Sequence, residues 1–165
     1  MQIIKNVLSH SVLHECRIER EELSQRKVWG PSDLFWNNDI RGGVTGSCSI
    51  ALVSESLCKK IIESIQYIVP ECNSMLLQHY VWHKYSSIGT HCDGLYKWGA
   101  TIYLNENWDM DNGGIFVWRD QNKDLHALCP EYNTMVLNTL GEDHLVTMVH
   151  PTAPENRVTI QIWGS

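Results

Sequence analysis

The chain has 165 residues and a mass of 19.0 kDa, with 43% hydrophobic residues, 19% charged residues and a formal net charge of -6. That size and balance fit one globular domain large enough to enclose a core and a ligand pocket, and they exclude a disordered chain. Lys and Arg are scattered, with no basic run longer than Lys59-Lys60, so the clustered positive surface of a nucleic-acid binder is not expected. No apolar stretch approaches a membrane span, and residues 1–5 lack the apolar core of a signal peptide. A cytoplasmic protein without a membrane partner is the expectation. The six cysteines form no CxxC pair, which favours free thiols over a disulfide framework.

In chain order, the first predicted element is a helix over 10–24 capped by Ser9. Next comes a stretch of turn formers, GPSDLFWNNDIRGGVTGS (30–47), whose composition predicts a long loop that serves as a substrate lid. A second helix is predicted over 55–68. Ser54 can cap it, Leu57, Ile61, Ile65 and Ile68 recur at helical spacing, and Pro70 ends it. From Met75 onward the pattern changes to short segments separated by Gly, Asn and Asp. Strands are predicted at 75–83, 99–105, 114–118, 124–128, 134–138, 144–149 and 157–163, a spacing that suggests a β-sandwich or barrel.

Two of these strands alternate in an informative way. Val158, Ile160 and Ile162 share one face of the last strand, and Arg157, Thr159, Gln161 and Trp163 share the other. Ala100, Ile102 and Leu104 likewise oppose Thr101, Tyr103 and Asn105. Polar faces that carry Tyr, Arg and Trp fit a barrel that is apolar outside and holds a charged ligand inside. Each could also simply meet water.

His91 and Asp93 lie at i and i+2, so in an extended segment their side chains point the same way and reach one ion. His144 opens a later strand and supplies a third ligand. Two imidazoles and a carboxylate on one face of an octahedral ion leave three positions open, the facial triad of non-haem iron(II) oxygenases. His150 is the rival third ligand. The next residue, Pro151, would end its strand, whereas His144 opens H-L-V.

Four segments in order, YVWHKYSSIGTHCDG, ATIYLNENWDMDNGGIFVW, HLVTMV and RVTIQIW, make the chain from about Met75 to Ser165 resemble the 2-oxoglutarate- and iron(II)-dependent oxygenases, in their prolyl 4-hydroxylase-like branch. The resemblance implies a mainly β double-stranded β-helix (jelly-roll) barrel, with N-terminal helices packed on its outside. Residues 1–74 would be helical support and lid, and 75–165 the barrel core of a single domain. It assigns His91, Asp93 and His144 to iron, Arg157 and Tyr103 to the distal carboxylate of 2-oxoglutarate, and Thr101, Trp163, Gln161 and Tyr80 to the surrounding pocket. Gly113-Gly114 becomes a tight connection between strands. The 13 positions from His144 to Arg157 make a longer step than is common in that branch.

The implied reaction is oxidative: 2-oxoglutarate and dioxygen are consumed, succinate and carbon dioxide are released, and a C–H bond of the substrate is hydroxylated, with ascorbate as a supporting reductant. A carboxylate at Asp93 favours hydroxylation over halogenation, in which a small residue there makes room for chloride. Prolyl peptides come first as substrates, then free amino acids. Trp36, Trp82, Trp98 and Trp118 are candidates to hold a pyrrolidine ring, with Trp98 placed near the mouth because it follows Asp93 closely; core packing is the other account of each and the favoured one for at least two. Two other readings of the same three ligands stay open. One is a sensor or interaction module that binds iron and 2-oxoglutarate without turnover. The other is a zinc hydrolase, which lacks an HExxH-like base here.

Overall fold

A computed structural model describes residues 1–31 and 43–165. The greater part of the stretch assigned to a lid, Trp36 included, lies outside the described residues. At its two ends, β2 (Gly30–Pro31) and β3 (Val44–Thr45) are paired strands rather than loop.

The N-terminal third supplies β1 (Gln2–Lys5), α1 (His10–Gln25), β4 (Cys48–Leu52) and α2 (Glu55–Ile65). Both helices begin where a serine side chain accepts a backbone N–H of the first turn: Ser9 from Val12 and Ser54 from Leu57. Leu57, Ile61 and Ile65 form the buried stripe of α2, each contributing about 1.5–3 kcal/mol by leaving water. The helix ends at Ile65, three residues before its predicted end, and Tyr67 is 92% exposed.

The barrel strands follow as β5 (Met75–Trp82), β6 (Ser87–His91), β7 (Trp98–Tyr103), β8 (Phe116–Arg119), β9 (Leu125–Leu128), β10 (Thr134–Asn138), β11 (His144–Val146) and β12 (Arg157–Gly164). All pairings are antiparallel. The strands form one sheet in the order β1-β10-β7-β12-β5-β4-β2 and a second in the order β3-β6-β11-β8-β9. This is the mainly β, double-stranded β-helix architecture expected from the sequence.

The alternation of β7 and β12 decides what each face does. Ala100, Ile102, Val158, Ile160 and Ile162 pack outward with Leu13, Cys16, Leu57, Ile61 and Ile65 of the helices. Tyr103 and Trp163 turn inward to a second core shared with Phe116, Trp118 and Val146 of the smaller sheet. The helices therefore cover one face of the large sheet and leave its other face to build a cavity between the sheets. Glu19 of α1 fixes this layer by accepting hydrogen bonds from Ser54 N, Ser54 Oγ and His79 Nε2 of β5. All six cysteines are free, with Cys16 and Cys48 buried.

Candidate active site

β6 and β11 are neighbours in the smaller sheet, and their register sets His144 opposite His91. Asp93 follows two residues after His91, where the chain has just left the strand. One ligand atom from each of His91, Asp93 and His144 lies within 4.8 Å of the others. The two imidazole centroids are 4.3 Å apart, and Asp93 Oδ2 is 3.8 Å from His144 Nε2.

The tautomers are fixed by backbone carbonyls, which can only accept. His91 Nδ1–H donates to Gly89 O at 2.8 Å, and His144 Nδ1–H donates to Glu142 O at 3.0 Å. Both Nε2 lone pairs are thereby left for a cation. Burial, and then the neighbouring His144, hold His91 below the usual histidine range, which keeps its ring neutral and able to ligate. Phe116 stacks on His144 with centroids 5.1 Å apart and limits the tilt of that ring. His150 stands apart: it is exposed and its Nδ1 lies 2.8 Å from Thr152 Oγ1.

Deeper in the same cavity lies Arg157, the first residue of β12, only 1% exposed. Its guanidinium carbon sits 5.2 Å from the centroid of the Tyr103 ring. The two groups act on each other electrostatically and through a weak side-chain contact, yet Arg157 Nε and Nη2 and the Tyr103 hydroxyl are all buried without a partner at full hydrogen-bond geometry. Trp163 Nε1 is in the same condition. Burial pushes the Tyr103 phenol up to about 12, against the opposing pull of Arg157, so it stays a neutral donor. Burial also lowers the Arg157 pKa, partly offset by Tyr103 and Cys48.

A buried donor without an acceptor costs about 1–3 kcal/mol, more when charged. A cation and several such donors facing one cavity fit an anionic guest, and a planar guanidinium matches a carboxylate. The three-ligand cluster, Arg157 and Trp163 line one cavity, and Tyr103 packs against the Arg157 guanidinium. Both halves of an iron and 2-oxoglutarate site are thus provided for by the residues present.

The remaining expectations divide. Thr101 and Gln161 line the cavity and are joined to each other, with Thr101 Oγ1 donating to Gln161 Oε1 at 2.6 Å. Tyr80 and Trp82 line it too, and Tyr80 donates to Gln78 Oε1 at 3.2 Å. Trp98 does not: it points outward into the helix-covered core, 2% exposed, with Nε1 donating to Pro70 O at 3.0 Å. Trp118 is buried in the inner core and stacks on His126. Sequence reasoning missed Phe116, Ile88 and Val146 as cavity walls, and Tyr96, which stacks on Trp163 with centroids 5.5 Å apart.

Among the described residues, no helix is long and apolar enough to cross a membrane. No curated protein matches the sequence. Similar solved structures include a Pseudomonas putida prolyl-4-hydroxylase (14% identity, 99% of this chain and 90% of that one, TM-score 0.74). Another is a Trichoplax adhaerens prolyl hydroxylase in complex with a hypoxia inducible factor oxygen degradation domain peptide fragment (19%, 99% and 82%, TM-score 0.70). A third is the non-heme alpha ketoglutarate dependent epimerase SnoN from nogalamycin biosynthesis (9%, 98% and 76%, TM-score 0.68). At these identities the likeness is one of fold. The profile of the 2OG-Fe(II) oxygenase superfamily, whose members work with iron(II), 2-oxoglutarate and dioxygen, matches residues 52–165. The chain belongs to the 2OG-Fe(II) oxygenase superfamily.

Proposed function

We propose that this oxygenase hydroxylates an unactivated C–H bond of an amino-acid unit, first a prolyl residue in a peptide and second a free amino acid. His91, Asp93 and His144 would hold iron(II), and Arg157 with Tyr103 would hold the distal carboxylate of 2-oxoglutarate. The observation that carries this reading is the set of orphaned buried donors on Arg157, which lines the cavity that also holds the three-ligand cluster, and on Tyr103 packed against it.

Iron(II), 2-oxoglutarate and dioxygen together supply an oxidant able to insert one oxygen atom into a C–H bond, with succinate and carbon dioxide as the other products. The chain's own residues do the rest by position. Gly89 and Glu142 carbonyls orient the two imidazoles. Arg157 and Tyr103 supply hydrogen bonds that a dicarboxylate satisfies. Thr101 and Gln161 form the cavity wall beside them. Trp82, Phe116 and Trp163 line the cavity with large apolar rings that exclude water, which strengthens every electrostatic contact inside. The peptide class is supported by the prolyl hydroxylases among the similar structures, while SnoN shows that the same fold also carries an epimerase.

We take the chain to act as one oxygenase domain. Its first third gives β1, β2 and β4 to the large sheet and β3 to the small one, so neither sheet is complete without it.

The test is succinate release with a panel of prolyl peptides and free amino acids, scored for products heavier by one oxygen atom. A prolyl peptide that stimulates succinate release and gains one oxygen, with both lost in His91→Ala, supports the reading. Iron- and 2-oxoglutarate-loaded protein that no amino-acid substrate stimulates would move it toward a sensor. Activity supported by zinc and not by iron would make it a hydrolase.

A further inference from the structure

β7 is laid out along the cavity. Its inward positions are Gly99, Thr101 and Tyr103, and its outward positions Trp98, Ala100 and Ile102 belong to the helix-covered core. Successive inward residues stand about 6–7 Å apart along a strand. Tyr103 lies beside Arg157 and Thr101 is hydrogen-bonded to Gln161. Gly99 therefore falls at the end nearest the metal ligands.

The backbone does not explain a glycine there. Gly99 is buried and hydrogen-bonded into the large sheet between Asn138 of β10 and Trp163 of β12. It is not among the residues with positive φ. Glycine in the interior of a strand weakens it and often marks a place where another group approaches closely. That group is identifiable. A Cβ on Gly99 would lie 2.6 Å from Asp93 Oδ2 and 3.5 Å from Asp93 Cγ, and its next neighbour would be Trp163 Cδ1 at 3.6 Å.

We propose that Gly99 is a positioning residue for the metal centre: the absence of a side chain leaves the space in which the Asp93 carboxylate sits facing His144. The inference rests on the assignment of Asp93 as an iron ligand made above. The close contact is with the free end of a side chain, while Trp163 stands at ordinary van der Waals distance. A methyl group at position 99 is therefore relieved by swinging the carboxylate away from His144 Nε2, and the strand pairing with β10 and β12 stays intact. The fold survives and the ligand set loses a member.

The test uses the full chain, with Co(II) and Fe(II) as metal probes under anaerobic conditions and thermal unfolding of the metal-free protein. Gly99→Ala is expected to weaken metal binding at least tenfold and to leave metal-free Tm unchanged or raised. In an Asp93→Ala background the same substitution is expected to change metal affinity less than twofold. Wild-type affinity in Gly99→Ala overturns the inference. So does a loss of the same size in the Asp93→Ala background, which would show that the effect bypasses the carboxylate. If Gly99→Ala fails to fold, the double variant decides: recovery of folding places the clash at Asp93, and continued failure places it in the sheet and overturns the inference. Asp93→Ala alone that binds metal like wild type would fault the ligand assignment itself, whatever Gly99→Ala does.

Discussion

His144 stands directly across the β6–β11 ladder from His91, its ring centroid 4.3 Å away, and each ring turns Nδ1 to a carbonyl of its own strand or approach. Strand pairing, rather than a dedicated loop, thus brings together two ligands 53 positions apart (144 − 91).

His144→Ala should weaken Fe(II) or Co(II) binding at least 100-fold, since it removes one of three ligands. His150→Ala should leave it within about twofold, because that ring is exposed and engaged with Thr152. Metal titration followed by calorimetry checks both. Equal losses in the two variants would contradict the assignment.

Arg157→Met should abolish saturable 2-oxoglutarate binding and at the same time stabilise the ligand-free protein by about 1–3 kcal/mol. A buried guanidinium with unsatisfied N–H groups costs more than a methionine of similar length. Denaturant unfolding and 2-oxoglutarate titration on the same variant measure the two effects. Destabilisation of the ligand-free form would show that Arg157 has a structural partner.

Gly114 has φ +61°, and a Cβ there would lie 2.6 Å from Arg157 Cδ. Gly114→Ala is expected to cost about 1–3 kcal/mol in backbone strain and to weaken 2-oxoglutarate at least tenfold by displacing the guanidinium. Metal affinity should stay near wild type, which separates the two ends of the cavity.

The strands that could be read from the sequence are those with one face in each core. In β7 and β12, period-two alternation separates Ile102 and Ile160 from Tyr103 and Arg157. β1 left no such signal, because as an edge strand three of its four residues are exposed. β6 (SIGTH) and β4 (CSIAL) are too short and too interrupted by Gly, Ser and Cys to stand out from turns. Trp98 was misplaced for a related reason. Nearness to Asp93 in sequence suggested the mouth, but strand parity decides, and 98 has the parity of Ala100 and Ile102. Phe116 was missed because its contact with His144 depends on β8 lying beside β11, a neighbour relation that no local pattern encodes.

Acid should loosen the helix layer through Glu19. Burial alone would raise its pKa, but hydrogen bonds from His79 and Ser54 outweigh burial and hold it below the usual carboxylate range. A carboxyl whose folded pKa is depressed contributes stability that is fully present above its unfolded value, about 4.3, and lost as pH falls through the folded one. Glu19→Gln should therefore lower stability at neutral pH and flatten its decline below about pH 4.3. Urea unfolding across that range measures it, and a decline as steep as wild type would place the acid sensitivity elsewhere.

The most direct measurement is anaerobic titration of the metal-free protein with Fe(II) and then 2-oxoglutarate, monitored by visible absorption. The account predicts a charge-transfer band that needs both additions, saturates at one equivalent of each, and disappears in His144→Ala and Arg157→Met. A wild-type protein that binds zinc tightly yet gives no such band would contradict it.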